Sequence, residues 1–190
     1  MRLSRALTLA AMLAFAVAGL VWGLFFWLPA RYGGPASVPP PAAAAAPVEG
    51  RKIKARLFYV AESGAKLAGA EFDVPYGEGT VEQAKAIVNA QLAPPAPPLV
   101  SAIPAGTTLR TLFVTDRGEA FVDLSPEFAA AHRGGSVNEL LTVHAIVNAL
   151  TVNLPVIKAV QLLVDGKEVD SLAGHVDLGR PLAQNLSLVE

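Results

Sequence analysis

Cysteine is absent from this 190-residue chain. Its absence excludes disulfides, thiolate nucleophiles, cysteine-ligated zinc, iron–sulfur clusters and a lipid-modified cysteine. Excess basic charge is also absent, since 15 Lys and Arg stand against 16 Asp and Glu. No positive field therefore argues for a nucleic-acid partner. Acidic residues are missing before Glu49, and no charge of either sign lies between Arg5 and Arg31. Without Arg2 and Arg5, 13 basic residues face 16 acidic ones, a mild acidity suited to solubility. The histidines His132, His144 and His175 have no metal-ligand spacing, and no H-E-x-x-H or H-x-H pattern occurs. G-x-S-x-G, P-loop and G-x-G-x-x-G motifs are lacking as well. No cofactor and no catalytic activity are expected.

The charge-free run from Ala6 to Leu28 is almost wholly apolar. At about 1.5 Å per helical residue it can cross a hydrocarbon core of roughly 30 Å. Arg2 and Arg5 precede it and favour a cytoplasmic N-terminus at residues 1–5. Trp22, Phe25, Phe26 and Trp27 fall at the far end, where aromatics favour the membrane interface. A cleaved secretory signal is the alternative, but Phe-Phe-Trp-Leu-Pro stands where a peptidase needs small residues. The sequence thus predicts a single-pass anchor over residues 6–28 in the cytoplasmic membrane, with the remainder of the chain exported. Residues 29–50, rich in Pro, Ala and Gly, cannot bury enough apolar area to offset ordering entropy. They read as a semi-stiff spacer.

Residues 51–190 carry the periodicities of a folded domain. Lys52 to Val60 alternates charged and apolar residues at its start, as a half-buried strand does. Leu67 to Val74 is a second strand, ended by Pro75. Thr80 and Gln83 form a capping-box pattern ahead of a helix that places Val81, Ala84, Ile87, Val88 and Leu92 on one side. Pro94 and Pro95 stop it, and a rigid proline-rich loop runs on to Gly106. Leu109 to Thr115 and Glu119 to Asp123 flank Asp116-Arg117-Gly118 as a hairpin.

Ser125-Pro126 reads as an N-cap followed by proline at the first helical position of a short helix. Ser136 and Glu139 form a second capping box. The helix they open places Leu140, Val143, Ile146, Val147 and Leu150 on one arc. Pro155 ends it. Ala159 to Val164 is an apolar strand, Asp165-Gly166 a two-residue hairpin signal, and Lys167 to Val169 the start of the return. The tail beyond reads as irregular. The expected fold is a single α+β domain in the order β-β-α-β-β-α-β-β, a mainly antiparallel sheet with two helices covering one face.

Several pieces of this domain occur in a familiar order. They are Leu57-Phe58-Tyr59, Ser101-Ala-Ile-Pro-Ala-Gly-Thr107, Val122-Asp-Leu-Ser-Pro-Glu-Phe128, Gly135-Ser-Val-Asn-Glu-Leu140, Ile146-Val-Asn-Ala-Leu-Thr151, Val160-Gln-Leu-Leu-Val-Asp-Gly-Lys167 and Leu172-Ala-Gly-His-Val-Asp-Leu178. Together they resemble the GerMN domain of sporulation and spore-germination proteins and of many exported bacterial lipoproteins and membrane proteins. The best-known member carries two such domains in tandem, whereas this chain carries one. The family pattern often has Thr after the helix asparagine, where this chain has Ala149. The resemblance implies an exported, non-catalytic module of envelope assembly or sporulation complexes, with no cofactor. Other envelope proteins are the expected partners, alongside the membrane through residues 6–28.

Four residues are candidates for a ligand or partner site. His144, Asn148 and Thr151 are spaced to share one stripe of the second helix, suited to a ligand carbonyl or a cell-wall glycan hydroxyl. The competing reading has Asn148 and His144 satisfying backbone groups of the proline-rich loop. Asp123, with Glu127, could be imagined as a carboxylate pair for hydrolysis. The end of a strand and the first turn of a helix explain those two acids equally well.

Overall fold

The structure is a computed structural model that describes residues 21–22 and 50–190. The expected anchor at 6–28 and spacer at 29–50 lie outside the described residues, apart from Val21, Trp22 and Gly50. Among the described residues no helix is long and apolar enough to cross a membrane.

All the elements below belong to one compact unit, Val48–Glu190. Strands β1 (Lys52–Val60) and β2 (Leu67–Pro75) form an antiparallel hairpin in uninterrupted register from Lys52 opposite Pro75 to Val60 opposite Leu67. Helix α1 (Gly79–Leu92) follows, burying Ala84, Ile87 and Val88. Strands β3 (Leu109–Val114) and β4 (Glu119–Leu124) make the second hairpin. A short helix α2 (Glu127–Ala130) leads to the long helix α3 (Ser136–Asn153). Strand β5 (Ala159–Val164) returns beside β4, and the two-residue strands β6 (Lys167–Glu168) and β7 (Leu182–Ala183) pair with opposite ends of β5.

The α+β class stands, but the single helix-covered sheet does not. Among the described residues there are two sheets, β1–β2 and β3-β4-β5-β6 with β7 beside β5. There are three helices among the described residues. The β4–β5 pair is parallel, because the connection from β4 to β5 contains α2 and α3 and is long enough to cross over.

Helix α3 is also more central than one apolar arc suggests. Every residue from Leu141 to Leu150 is buried, and the helix packs on β1, β5 and α1. A helix closed on all sides must be apolar nearly all round, and only Thr142, His144 and Asn148 interrupt that run. The inner face of the larger sheet meets it with Ala120, Val122, Leu124, Val160 and Leu162, each at most 1% exposed.

The turn at Asp165-Gly166 forms as its residue types demand, with positive φ at both positions (53° and 75°). The C-terminal tail is less irregular than its sequence suggests. After β7 it forms a 3-10 turn at Leu186–Leu188, then Val189 bridges Leu67 and the Glu190 amide donates to the Leu67 carbonyl at 3.0 Å. The tail therefore touches both sheets.

None of the three expected side-chain caps forms. The Gln83 carboxamide bonds both sides of the turn before α1, accepting from the Gly77 amide at 3.0 Å and donating to the Pro75 carbonyl at 3.2 Å. Ser125 Oγ accepts from the Thr108 amide at 3.0 Å and so fixes the entry to β3. Gly135, not Ser136, occupies the cap position of α3, which frees Glu139 for the contacts described next.

Candidate functional site

His144, Asn148 and Thr151 all lie on α3, and Asn148 meets the C-terminal segment. Asn148 is fully buried. Its Nδ2 donates to the Asn185 carbonyl at 2.9 Å and its Oδ1 accepts from the Asn185 amide at 2.9 Å. The carboxamide thus pairs with one backbone residue as a neighbouring strand would. Thr151 Oγ1 donates back to the Val147 carbonyl, four residues earlier, at 2.8 Å. His144 is 6% exposed and its Nδ1 has no hydrogen-bond partner. Burial disfavours its imidazolium and pushes its pKa below the ordinary 6.5. The proline-rich loop is met two residues before His144, where Thr142 Oγ1 donates to the Ala102 carbonyl at 2.6 Å.

Asp123 lies elsewhere, on β4. It is 4% exposed, and its Oδ1 accepts from the Gly166 amide at 2.7 Å. Arg110 Nη1 stands 3.5 Å from its other oxygen and also pairs with Asp165. Asp123 thus braces the β5–β6 turn. Glu127 is exposed on α2, where a hydrogen bond from Ser125 and then its own backbone amide hold its carboxyl below the usual carboxylate value.

The residue that sequence reasoning missed is Glu139. It is fully buried. Oε1 accepts from the Leu172 amide at 2.8 Å and Oε2 from the His175 amide at 3.0 Å. Burial alone would raise its pKa. The amides of Ala173, Leu172, His175 and Val176 together outweigh that and hold it below the ordinary 4.5. A glutamate three residues after a serine at a helix start looks like half of a capping box. Nothing local distinguishes that from an anchor for a loop more than thirty residues away.

Two further carboxamides cap β1 on the edge away from β2. Gln91 exchanges two 2.8 Å bonds with the Phe58 backbone, and Asn153 exchanges two of 2.8 Å with Arg56. Val60 then donates to the Val100 carbonyl at 2.8 Å. From Arg56 to Val60 every second residue of that edge is paired, as backbone away from water requires.

Two concavities border these contacts. One is framed by Leu140, His175, Asp177 and Arg180. The larger, about 720 Å³, lies between the proline-rich loop and the α2–α3 connection. None of His144, Asn148, Thr151 or Asp123 lines either.

The family model described as "Germane: Sporulation and spore germination" matches residues 56–170, which span β1 through β6. The chain belongs to the Germane family. Among solved structures it is similar to a protein described as a lipoprotein from Clostridium perfringens, at 25% identity and TM-score 0.50, covering 70% of this chain and 87% of that one. It shares a fold with the first GerMN domain of the sporulation protein GerM from Bacillus subtilis, at 21% identity and TM-score 0.55, covering 69% of this chain and 97% of that one. The tandem GerMN domains of the same protein match at 19% identity and TM-score 0.54, over 70% of this chain and 46% of that chain. No curated protein matches the sequence. The GerMN-type domain read from the ordered motifs is therefore established.

Proposed function

We propose that this Germane domain is a non-catalytic interaction module, held outside the cytoplasmic membrane by residues 6–28 and docking other envelope proteins. The observation that carries this reading is the use of its buried polar side chains. Asp123 and Glu139 accept backbone amides, and Asn148 is closed by Asn185. Such groups hold segments in place, and none converges with another on an open cleft as acid–base chemistry requires. The lipoprotein description of the Clostridium relative and the sporulation role of GerM support an extracytoplasmic setting. A glycan ligand on the His144–Asn148–Thr151 stripe would have to displace the Asn185 backbone.

In-cell photocrosslinking from surface positions of the domain, followed by mass spectrometry, tests the reading. Envelope proteins are the expected adducts. Hydrolysis of cell-wall material by the pure protein, with no protein adduct, would overturn it. A reporter fused after Gly50 should read out outside the cytoplasm.

A further inference from the structure

Residues 182–190 lie across the domain as a strap. None of them is buried, yet Val160, Asn148 and Leu67, which they meet, are all 0% exposed. The strap touches the body at three points in turn. Leu182 and Ala183 pair antiparallel with Val160 and Ala159 of β5. The Asn185 backbone exchanges its two 2.9 Å bonds with Asn148 of α3. Val189 bridges parallel to Leu67 of β2, and the Glu190 amide donates to the Leu67 carbonyl at 3.0 Å. All three points engage strap backbone, as a sheet edge engages an added strand. Among the described residues, the one side-chain bond from strap to body joins exposed Ser63 and Glu190 at 3.5 Å. The root of the strap is held as lightly. The Asp177 carboxylate accepts from the Gly179 amide at 3.0 Å and from Arg180 at 2.7 Å, all on exposed residues, where such pairs hold weakly. Arg180 and Pro181 border the smaller concavity, about 440 Å³, opposite Leu140 and His175. The root therefore spans open space. A segment with no buried residue opens locally at a free energy well below that of the whole domain.

We infer that two copies of this chain associate by exchanging straps, each body seating residues 182–190 of the other. Release of the strap leaves the Asn148 carboxamide and the Leu67 carbonyl without partners, which such groups do not tolerate for long. The occupant that fits the vacated seat is the strap sequence itself, and every copy carries it. Exchange keeps all three contacts and alters only the root, from a turn to an open span. That is why identical elements swap at low cost. In dilute solution the chain's own strap refills the seat, because its effective concentration there is high. Crowding of copies favours exchange. A foreign strand would have to match the same spacing of three footholds. This contact joins copies of the chain and is additional to the docking of other envelope proteins.

The lack of native cysteine makes introduced thiols clean reporters. Ala159 and Ala183 are direct cross-strand partners, a spacing that a disulfide can bridge. The full-length chain is prepared in detergent micelles in two single-thiol forms, Ala159→Cys and Ala183→Cys, which are mixed and oxidised. Exchange should join the two forms through a mixed disulfide, severalfold above a control mixture of Ala183→Cys with Thr111→Cys. Thr111 is exposed on β3, two strands from β5. Asn148→Ala removes the middle foothold and should speed the appearance of the mixed disulfide by about tenfold. Light scattering on the parent chain should find a dimer whose share rises with concentration. Ala159→Cys and Ala183→Cys placed in one chain and oxidised when dilute lock the strap onto its own body, and should leave monomer alone. A mixed disulfide no greater than the Thr111→Cys control, a parent chain monomeric at every concentration, or a dimer that survives the lock would each overturn the inference.

Discussion

The two sides of α3 treat their polar groups in opposite ways. Toward the C-terminal segment, Glu139 and Asn148 are buried and each oxygen or nitrogen finds a backbone partner. Toward the proline-rich loop, Thr142 is satisfied, but His132 and Arg133 across the larger concavity are not. A polar residue on a helix stripe therefore says little about function until its partners are known. Of the stripe that looked like a site, Asn148 fastens the tail. The loop side, which carried no motif, keeps unmatched donors.

Substitutions can break that comparison. The largest effect is expected from Glu139→Ala, which strands the part-buried Leu172 and His175 amides. A loss of about 3 kcal/mol follows from unsatisfied buried groups, read as a lower urea midpoint and as new protease cleavage between Asp170 and Leu178. Glu139 also predicts a pH dependence. Its folded pKa lies below the ordinary 4.5, so its contribution is complete above that value and disappears as pH falls through the folded pKa. The parent should lose stability on acidification below 4.5, and Glu139→Gln should flatten that part of the curve.

Asn148→Ala removes both bonds to Asn185 and should cost about 2 kcal/mol, measured by the same denaturation. Asn148→Asp should be worse than a carboxamide loss of one bond suggests, because a carboxylate oxygen then faces the Asn185 carbonyl.

His144 sharpens the contrast from within the stripe. Its Nδ1 has no partner to lose, so His144→Leu should change stability by less than about 1 kcal/mol, in either direction. The same substitution should remove a second pH dependence. The folded pKa of His144 lies below the ordinary 6.5, so the unfolded chain takes up the proton first. Stability is complete above 6.5 and falls as pH drops toward the folded value. A thermal melt series across that range, with and without the substitution, checks it. Arg133→Glu should have the smallest effect, within about 0.5 kcal/mol for an exposed side chain free of ion pairs among the described residues. A large loss there would mean that the loop side, too, is structural.

Much of the fold was legible along the chain. Strands β1, β2, β4 and β5 and helices α1 and α3 stand close to where alternation, helical spacing and prolines put them, because those signals are local. The Asp165-Gly166 turn was legible for the same reason, since few residues other than Asn, Asp and Gly tolerate positive φ. The caps were misread because Gln83, Ser125 and Glu139 have the right residue types at the right spacing for one local partner, yet bond elsewhere. The amide clamps of Gln91, Asn148 and Asn153 left no signal, since each reaches at least thirty-three residues away.

The sequence by itself determined the elements, the α+β class, the family and the lack of cysteine chemistry. Each of these depends on residue type and short spacing. Only the tertiary structure decided that the sheet is two sheets, that β4 and β5 run parallel, and that α3 is enclosed. It also decided the roles of the polar residues. A buried carboxamide or carboxylate takes its meaning from the backbone that packs against it. That backbone arrives from distant parts of the chain, driven there by burial of apolar surface, which has no direction and leaves no local mark.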